Sequence, residues 1–235
     1  MTLSRSQARS FYDHFGRKQD AQAFYEDAAL NELVAHAAFE QAENVFELGC
    51  GTGRFALTLL AKHLPPSATY LGSDLSQTMI DIAQQRISRY MGRAGAVHSN
   101  GSMHFPLPGH SADRVVATYV FDLLSETDIR EAISEAHRVL IPGGKLCLVG
   151  LTTGINAASR IVSALWSGAF RLHASLVGGC RPIRLGSYLD QDTWSIEYRT
   201  IVTPFGVPSE VLVATLKSTP NNSLEPAPKD GAAER

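Results

Sequence analysis

Cysteine is scarce in this chain: Cys50, Cys147 and Cys180 are the three in 235 residues, and no two of them form a C-x-x-C pair. That excludes a disulfide framework and a cysteine-built zinc site, so no metal is expected and a reducing compartment fits best. Charge of one sign is lacking too. Lys and Arg number 21 against 23 Asp and Glu, for a net −2. A polyanion reader carries a basic face, so no nucleic-acid partner is expected. No run approaches the roughly 18 apolar residues of a membrane helix. Residues 1–10 are polar and lack the apolar centre of a signal peptide. We therefore expect a cytoplasmic protein without integral membrane association. Internal repeats are absent.

With 44% hydrophobic residues, the chain can bury one sizeable core, and a single elaborated α/β domain is the expectation. Its organising stretch is Val45-Phe46-Glu47-Leu48-Gly49-Cys50-Gly51-Thr52-Gly53-Arg54. Apolar residues lead into an acid, glycines alternate with other residues, and a helical pattern follows over residues 55–64, where Pro65-Pro66 stops it. This is strand, glycine turn, helix, the arrangement of a nucleotide-binding turn. The glycines let the chain leave the strand sharply and let a ligand approach the backbone, and the helix behind them offers unpaired amides. The dinucleotide pattern G-x-G-x-x-G is not met, because Arg54 stands where its third glycine would be, and no G-K-[ST] of a P-loop follows.

The E-x-G-x-G-x-G arrangement of Glu47, Gly49, Gly51 and Gly53 resembles motif I of the class I methyltransferases that use S-adenosylmethionine (SAM), in which Cys50 occupies a turn position. Further motifs agree in order. Residues 69–74 read as a second strand ending in Asp74, 25 residues after Gly49. That is about the interval at which nucleotide-binding α/β folds set a carboxylate against ribose hydroxyls, and a carboxylate can accept both hydrogen bonds of a vicinal diol. Ser76 is a candidate N-cap for a helix over residues 77–89. A third strand over 96–100 leads to Asn100-Gly101, where related families often have an acid facing the adenine amine. Asn100 can still accept that hydrogen bond but brings no charge, for an affinity lower by about 1 kcal/mol. Residues 113–120 form an apolar strand expected at the sheet centre, and ligands bind beyond the carboxyl ends of such strands. Thr118, Tyr119 and Asp122 accordingly lie where cofactor and acceptor would meet. Ser125-x-x-Asp128 resembles a capping box, and Arg138 to Gly144 resembles the R-V-L-x-P-G-G turn before the superfamily's fifth strand, here 145–151.

The resemblance spans residues 10–217 and points to the small-molecule type, similar to the ubiquinone and menaquinone biosynthesis methyltransferases. It implies an α/β, Rossmann-like fold: a seven-stranded, mostly parallel sheet with the last strand antiparallel and helices on both faces. Residues 1–42 would be an N-terminal helical lid, 43–217 the core with a variable substrate-side segment at 152–190, and 218–235 a disordered tail. It also implies SAM as cofactor, S-adenosylhomocysteine as product, and contacts to the cofactor from Leu75 and Met79. Phe11 to Gly16 is an aromatic cluster whose Tyr12-Asp13 pair matches one that lies over the SAM site in relatives, so Tyr12 would touch the cofactor. Behind it, Leu30, Leu33, Val34, Ala37 and Ala38 share a helical face.

From 152 to 190 the common pattern stops. Ile161, Leu165, Trp166, Ala169, Phe170 and Leu172 give an apolar helical face open to three readings: packing across the sheet, a substrate-pocket wall or lid, or membrane-surface attachment. Strands over 193–202 and 209–217 close the chain, and if the first is parallel and the second reversed, Phe205 between them borders the substrate. The expected reaction is in-line displacement of a methyl group by a small-molecule acceptor, hydrophobic or aromatic, aligned beside the cofactor. A base is optional, with His14, Tyr119 and Asp122 as candidates. A catalytically silent SAM-binding regulator and an NAD-linked oxidoreductase are the competing functions.

Overall fold

In the computed structural model, which describes residues 2–217, one sheet carries the core. Its strands are β1 (Asn44–Leu48), β2 (Thr69–Asp74), β3 (Ala94–His98), β4 (Ala112–Thr118), β5 (Leu140–Leu151), β6 (Trp194–Val202) and β7 (Ser209–Leu216). Their spatial order is β3-β2-β1-β4-β5-β7-β6, with β7 the reversed strand, antiparallel to both neighbours. The chain direction of the order switches between β1 and β4, and a crevice opens there beyond the carboxyl ends of the strands. The seven-stranded sheet with one reversed strand is the architecture expected. The tail expected at 218–235 lies outside the described residues.

Period-two alternation builds two cores. Phe46, Val115, Ala117, Leu146, Leu148 and Leu212 point to one face and pack with α5 (Glu126–Val139), while Val45, Val116, Cys147, Val149 and Val211 point to the other. That second face is covered by α2 (Ala23–Ala37) and α3 (Arg54–Lys62). Fully covered central strands read as continuous apolar runs for this reason. One exception is Arg114, buried in β4. Its guanidinium donates to the carbonyls of Ala37 (2.8 Å) and Ala38 (2.8 Å), so it closes the carboxyl end of α2.

The caps fall where the sequence puts them. Ser76 accepts from the Met79 amide at the start of α4 (Gln77–Ile87), and Ser125 accepts from Asp128 at the start of α5. Several boundaries differ. The aromatic cluster lies inside a helix, α1 (Arg5–Phe15), which Ser4 and Gln7 open with a reciprocal capping box. A 3-10 segment, Gly16–Gln22, joins it to α2, which begins seven residues before Leu30. The third strand runs two residues earlier than expected because Tyr70 pairs with Ala94. The fifth begins at Leu140, which pairs with Ala112, and Ile141 to Gly144 bulge opposite Asp113 with Gly143 at φ 80°.

The segment after β5 departs most from expectation. Asn156 and Ser159 form a capping box for α6 (Ala157–Leu172), which packs on neighbouring loops and, through Val162 and Trp166, in one cluster with Tyr25, Leu151 and Val207. Ile161 (62% exposed), Leu165 (70%) and Leu172 (83%) face outward. The loop between β6 and β7 does lie on the carboxyl edge, because Ser209 pairs with Leu151. There Phe205, 79% exposed at φ 52°, stands edge-on to Phe24.

Candidate active site

A cleft partly open to solvent lies over the β1–β4 switch. Of the residues singled out from sequence, Tyr12, Gly49, Asp74, Leu75, Gly101, Thr118 and Tyr119 line it together. They come from α1 and from the ends of four different elements, and the glycine turn brings them within reach of one ligand.

The turn is shaped by backbone demands. Gly49, Gly51 and Gly53 have φ of 69°, 50° and 72°. A Cβ on Gly49 would lie 2.3 Å from a Val120 methyl, and one on Gly53 would lie 3.0 Å from the Ala83 Cα. Only glycine relieves both constraints at once. Asp74 ties this turn to α4: Oδ2 accepts from the Gly51 amide at 2.9 Å and Oδ1 from the Ser76 amide at 2.8 Å. Burial pushes its pKa up, and the amides of Ser76, Gly51 and Leu75 pull it back. Each oxygen keeps a second lone pair, so the carboxylate can still accept from a diol.

The remaining expected residues do not line the cleft, each for a stated reason. His14 is exposed on the outer side of α1, because two helical steps rotate it about 200° from Tyr12. Glu47 alternates with Leu48 along β1, so Leu48 reaches the cleft while Glu47 turns to the opposite face and accepts from the Tyr70 hydroxyl at 2.5 Å. Burial raises the Glu47 pKa to about 7, against that hydrogen bond. Cys50 is buried under the turn, where a Cβ on Gly72 would meet its sulfur at 2.8 Å. Met79 is fully buried on the inner side of α4. Gly51 and Gly53 face Gln19 and Ala83. Asn100 is exposed in a neighbouring recess, its carbonyl oxygen accepting from the Ser102 amide at 2.8 Å. Asp122 is wholly buried beside the cleft. Its Oδ2 accepts from the Leu151 amide at 3.3 Å, its Oδ1 has no partner, and burial raises its pKa to about 7.

Sequence reasoning missed the contacts that fasten the N-terminal segment and the neighbouring helices together. Arg5 of α1 pairs with Asp128 of α5 at 2.8 Å, and both line the cleft. Asp13 Oδ1 lies 2.5 Å from the Ser76 hydroxyl, at the start of α4. Asp20 holds Arg86 of α4 at 2.6 Å and accepts from Thr52, the residue between two of the motif glycines, at 2.6 Å. Arg54 pairs with Glu26 at 2.6 Å and also with Asp27. These pairs join residues far apart in sequence, and single charges carry no signal of their partners. Tyr119 was expected, but its geometry was not: it leaves β4 at φ 56° and donates from its hydroxyl to Ser209 Oγ at 2.9 Å. Burial moves its pKa upward, so the phenol stays neutral near pH 7. Among the described residues, no group of His, Cys, Asp or Glu could hold a metal ion, and no helix is long and apolar enough to cross a membrane.

The cleft also passes a test of fit for SAM. A cradle that any Cβ would fill lies at Gly49, a half-buried carboxylate stands at the end of β2, and an orphaned amide oxygen, Gln19 Oε1, faces the turn.

Known proteins point the same way. A family profile described as a methyltransferase domain matches residues 45–144. A demethylmenaquinone methyltransferase of Lactobacillus johnsonii is 31% identical over 127 residues, which are 54% of this chain and 50% of that protein. The chain spans about half the length of the curated relatives it matches. Among solved structures, the [4+2]-cyclase SpnF superposes with a TM-score of 0.71 at 16% identity, covering 93% of this chain and 98% of that one. Magnesium protoporphyrin IX methyltransferase from Synechocystis, solved with bound S-adenosylhomocysteine, gives 0.59 at 18% identity over 82% and 81%. At such identities the structures speak for the fold alone, and the profile and the curated relatives carry the rest. These matches, with the motif order and sheet topology above, support a class I SAM-dependent methyltransferase.

Proposed function

We propose that this protein methylates a small, apolar or aromatic acceptor, with SAM as the methyl donor. One observation carries the reading: a single cleft joins the polar residues of the glycine-turn region, Gly49 and Asp74, to an apolar wall that includes Leu3, Met103, Leu123 and Leu124. The likeness to demethylmenaquinone methyltransferases supports a ring-bearing acceptor of quinol type.

When bound, SAM supplies a methyl group on a sulfonium, open to in-line attack by an acceptor nucleophile with S-adenosylhomocysteine leaving. The chain's own residues hold and align. Asp74 would receive the ribose hydroxyls, the turn at Gly49 would admit the tail close to the backbone, and Gly101 and Leu75 would border the purine side. Tyr12, over the cleft, excludes water. Alignment of two bound reactants can supply roughly 7–11 kcal/mol of barrier reduction, enough that no dedicated base is required. The three candidates support that assignment: His14 is off the cleft, Tyr119 is a neutral phenol, and Asp122 is walled in. The apolar wall favours a hydrophobic acceptor over a charged one.

The test is calorimetric titration of the protein with S-adenosylhomocysteine beside NADH, followed by SAM turnover against a panel of quinols and phenols. Saturable binding of the first ligand and methyl transfer to a panel member are expected. Tighter binding of NADH would overturn the cofactor assignment. Retained S-adenosylhomocysteine binding with no transfer to any acceptor would favour the silent regulator.

A further inference from the structure

Among the described residues, Gln19 is the one on the cleft wall whose side chain ends in an unsatisfied buried acceptor. Its Oε1 has no hydrogen-bond partner, and the amide lies directly over the motif: a Cβ on Gly51 would stand 2.7 Å from Oε1 and 3.1 Å from Nε2. Buried polar atoms in folded proteins are almost always paired, so an orphan facing a ligand cleft marks a place where a ligand atom belongs. The position is fixed by its neighbours. Asp20, next in the chain, is held by Arg86 and Thr52, and Arg17 donates to the Gln85 side chain at 2.6 Å. These contacts clamp the Gly16–Gln22 segment to both the glycine turn and α4.

We infer that the Gln19 side-chain amide recognises the amino-acid end of SAM, its oxygen taking a hydrogen bond from the α-ammonium and its NH2 giving one to the α-carboxylate. A primary amide offers an acceptor and donors side by side, the complement of a zwitterionic α-amino acid. The inference rests on the cofactor reading above and deepens it: the lid segment reads the part of the ligand that an adenosine-only binder would ignore. Gln19 thereby positions the donor and does not touch the transferred methyl group.

The experiment is calorimetric titration of the full chain as wild type, Gln19→Leu and Gln19→Ala. The ligands are S-adenosylhomocysteine and 5′-deoxy-5′-methylthioadenosine, which lacks the amino-acid end. The expected result is an S-adenosylhomocysteine Kd raised about tenfold in both variants, with the methylthioadenosine Kd within about twofold of wild type. Equal weakening of both ligands would make Gln19 a general lid contact and overturn the inference. So would an unchanged or tighter S-adenosylhomocysteine Kd, the mark of a side chain that merely obstructs the turn. Absence of S-adenosylhomocysteine binding by the wild type would bring down the cofactor reading itself, a result distinct from either of these.

Discussion

A Cβ on Gly53, at the end of the nucleotide turn, would lie 3.0 Å from the Cα of Ala83, whereas a Cβ on Gly168, inside α6, would meet nothing within 4 Å. The two glycines stand for two regions. Around the turn, backbone conformation and close approach dictate residue type, so the residues advertise their roles. Along α6, no such demand exists. Its outward side carries Ile161, Leu165 and Leu172 in solvent-exposed positions, where amphipathic logic would put polar residues. The comparison predicts opposite responses to one substitution. Gly53→Ala forces φ 72° on an L-residue and brings its Cβ to 3.0 Å from the Cα of Ala83, so that α4 must give way. It should destabilise by about 2–5 kcal/mol in urea unfolding. Gly168→Ala removes a helix-interior glycine and should stabilise by about 0.5–1 kcal/mol. The same sign for both would break the contrast.

Asp74 sharpens it from the ligand side. Its carboxylate already accepts from Gly51 and Ser76, so Asp74→Ala removes both the proposed ribose acceptor and the tie between turn and α4. Weakening of S-adenosylhomocysteine binding by about 1.5–3 kcal/mol is expected by calorimetry. An unchanged Kd in a folded variant would take Asp74 out of the site.

How much of this was legible beforehand follows the same division. The sheet, its reversed strand, the caps at Ser76 and Ser125, and the convergence of Gly49, Asp74, Gly101 and Thr118 could be read because each rests on a local rule: glycine at forced φ, an acid at a strand end, a hydroxyl at a helix start. Glu47 was readable as a motif member but not as a residue facing away from the cleft. The motif fixes its identity, while the strand pleat fixes its direction. His14 illustrates the same limit on a helix, where two positions separate an inward ring from an outward one. Gln19, and the pairing of Arg5 with Asp128, depend on chain segments meeting across the fold, and nothing local to them encodes the partner.

The buried acids provide a smaller, pH-dependent contrast. Burial raises Glu47 and Asp122 to about 7, above ordinary carboxylate values of about 4. The folded state therefore holds protons that the unfolded chain releases between about pH 4 and 7. The stabilisation from these groups is fully present below pH 4 and is lost as pH rises through 7. Stability set by these two acids should thus decline over that window, by on the order of 4 kcal/mol for Asp122 across its full span. Asp122→Asn should flatten the decline when unfolding midpoints are compared at pH 5 and 8. No such acid lies in α6, so its variants should leave the slope unchanged.

The smallest expected effect belongs to the outer side of α6. Leu165 is 70% exposed and Leu172 83%, so truncating either surrenders little buried apolar area, and stability scales with area removed from water. Leu165→Ser should shift unfolding free energy by less than about 0.5 kcal/mol, and the S-adenosylhomocysteine Kd should stay within about twofold of wild type, because α6 contributes no residue to the cleft wall. A loss of 2 kcal/mol or more would mean that this side is covered in solution, and α6 would then answer to packing constraints as strict as those at the glycine turn.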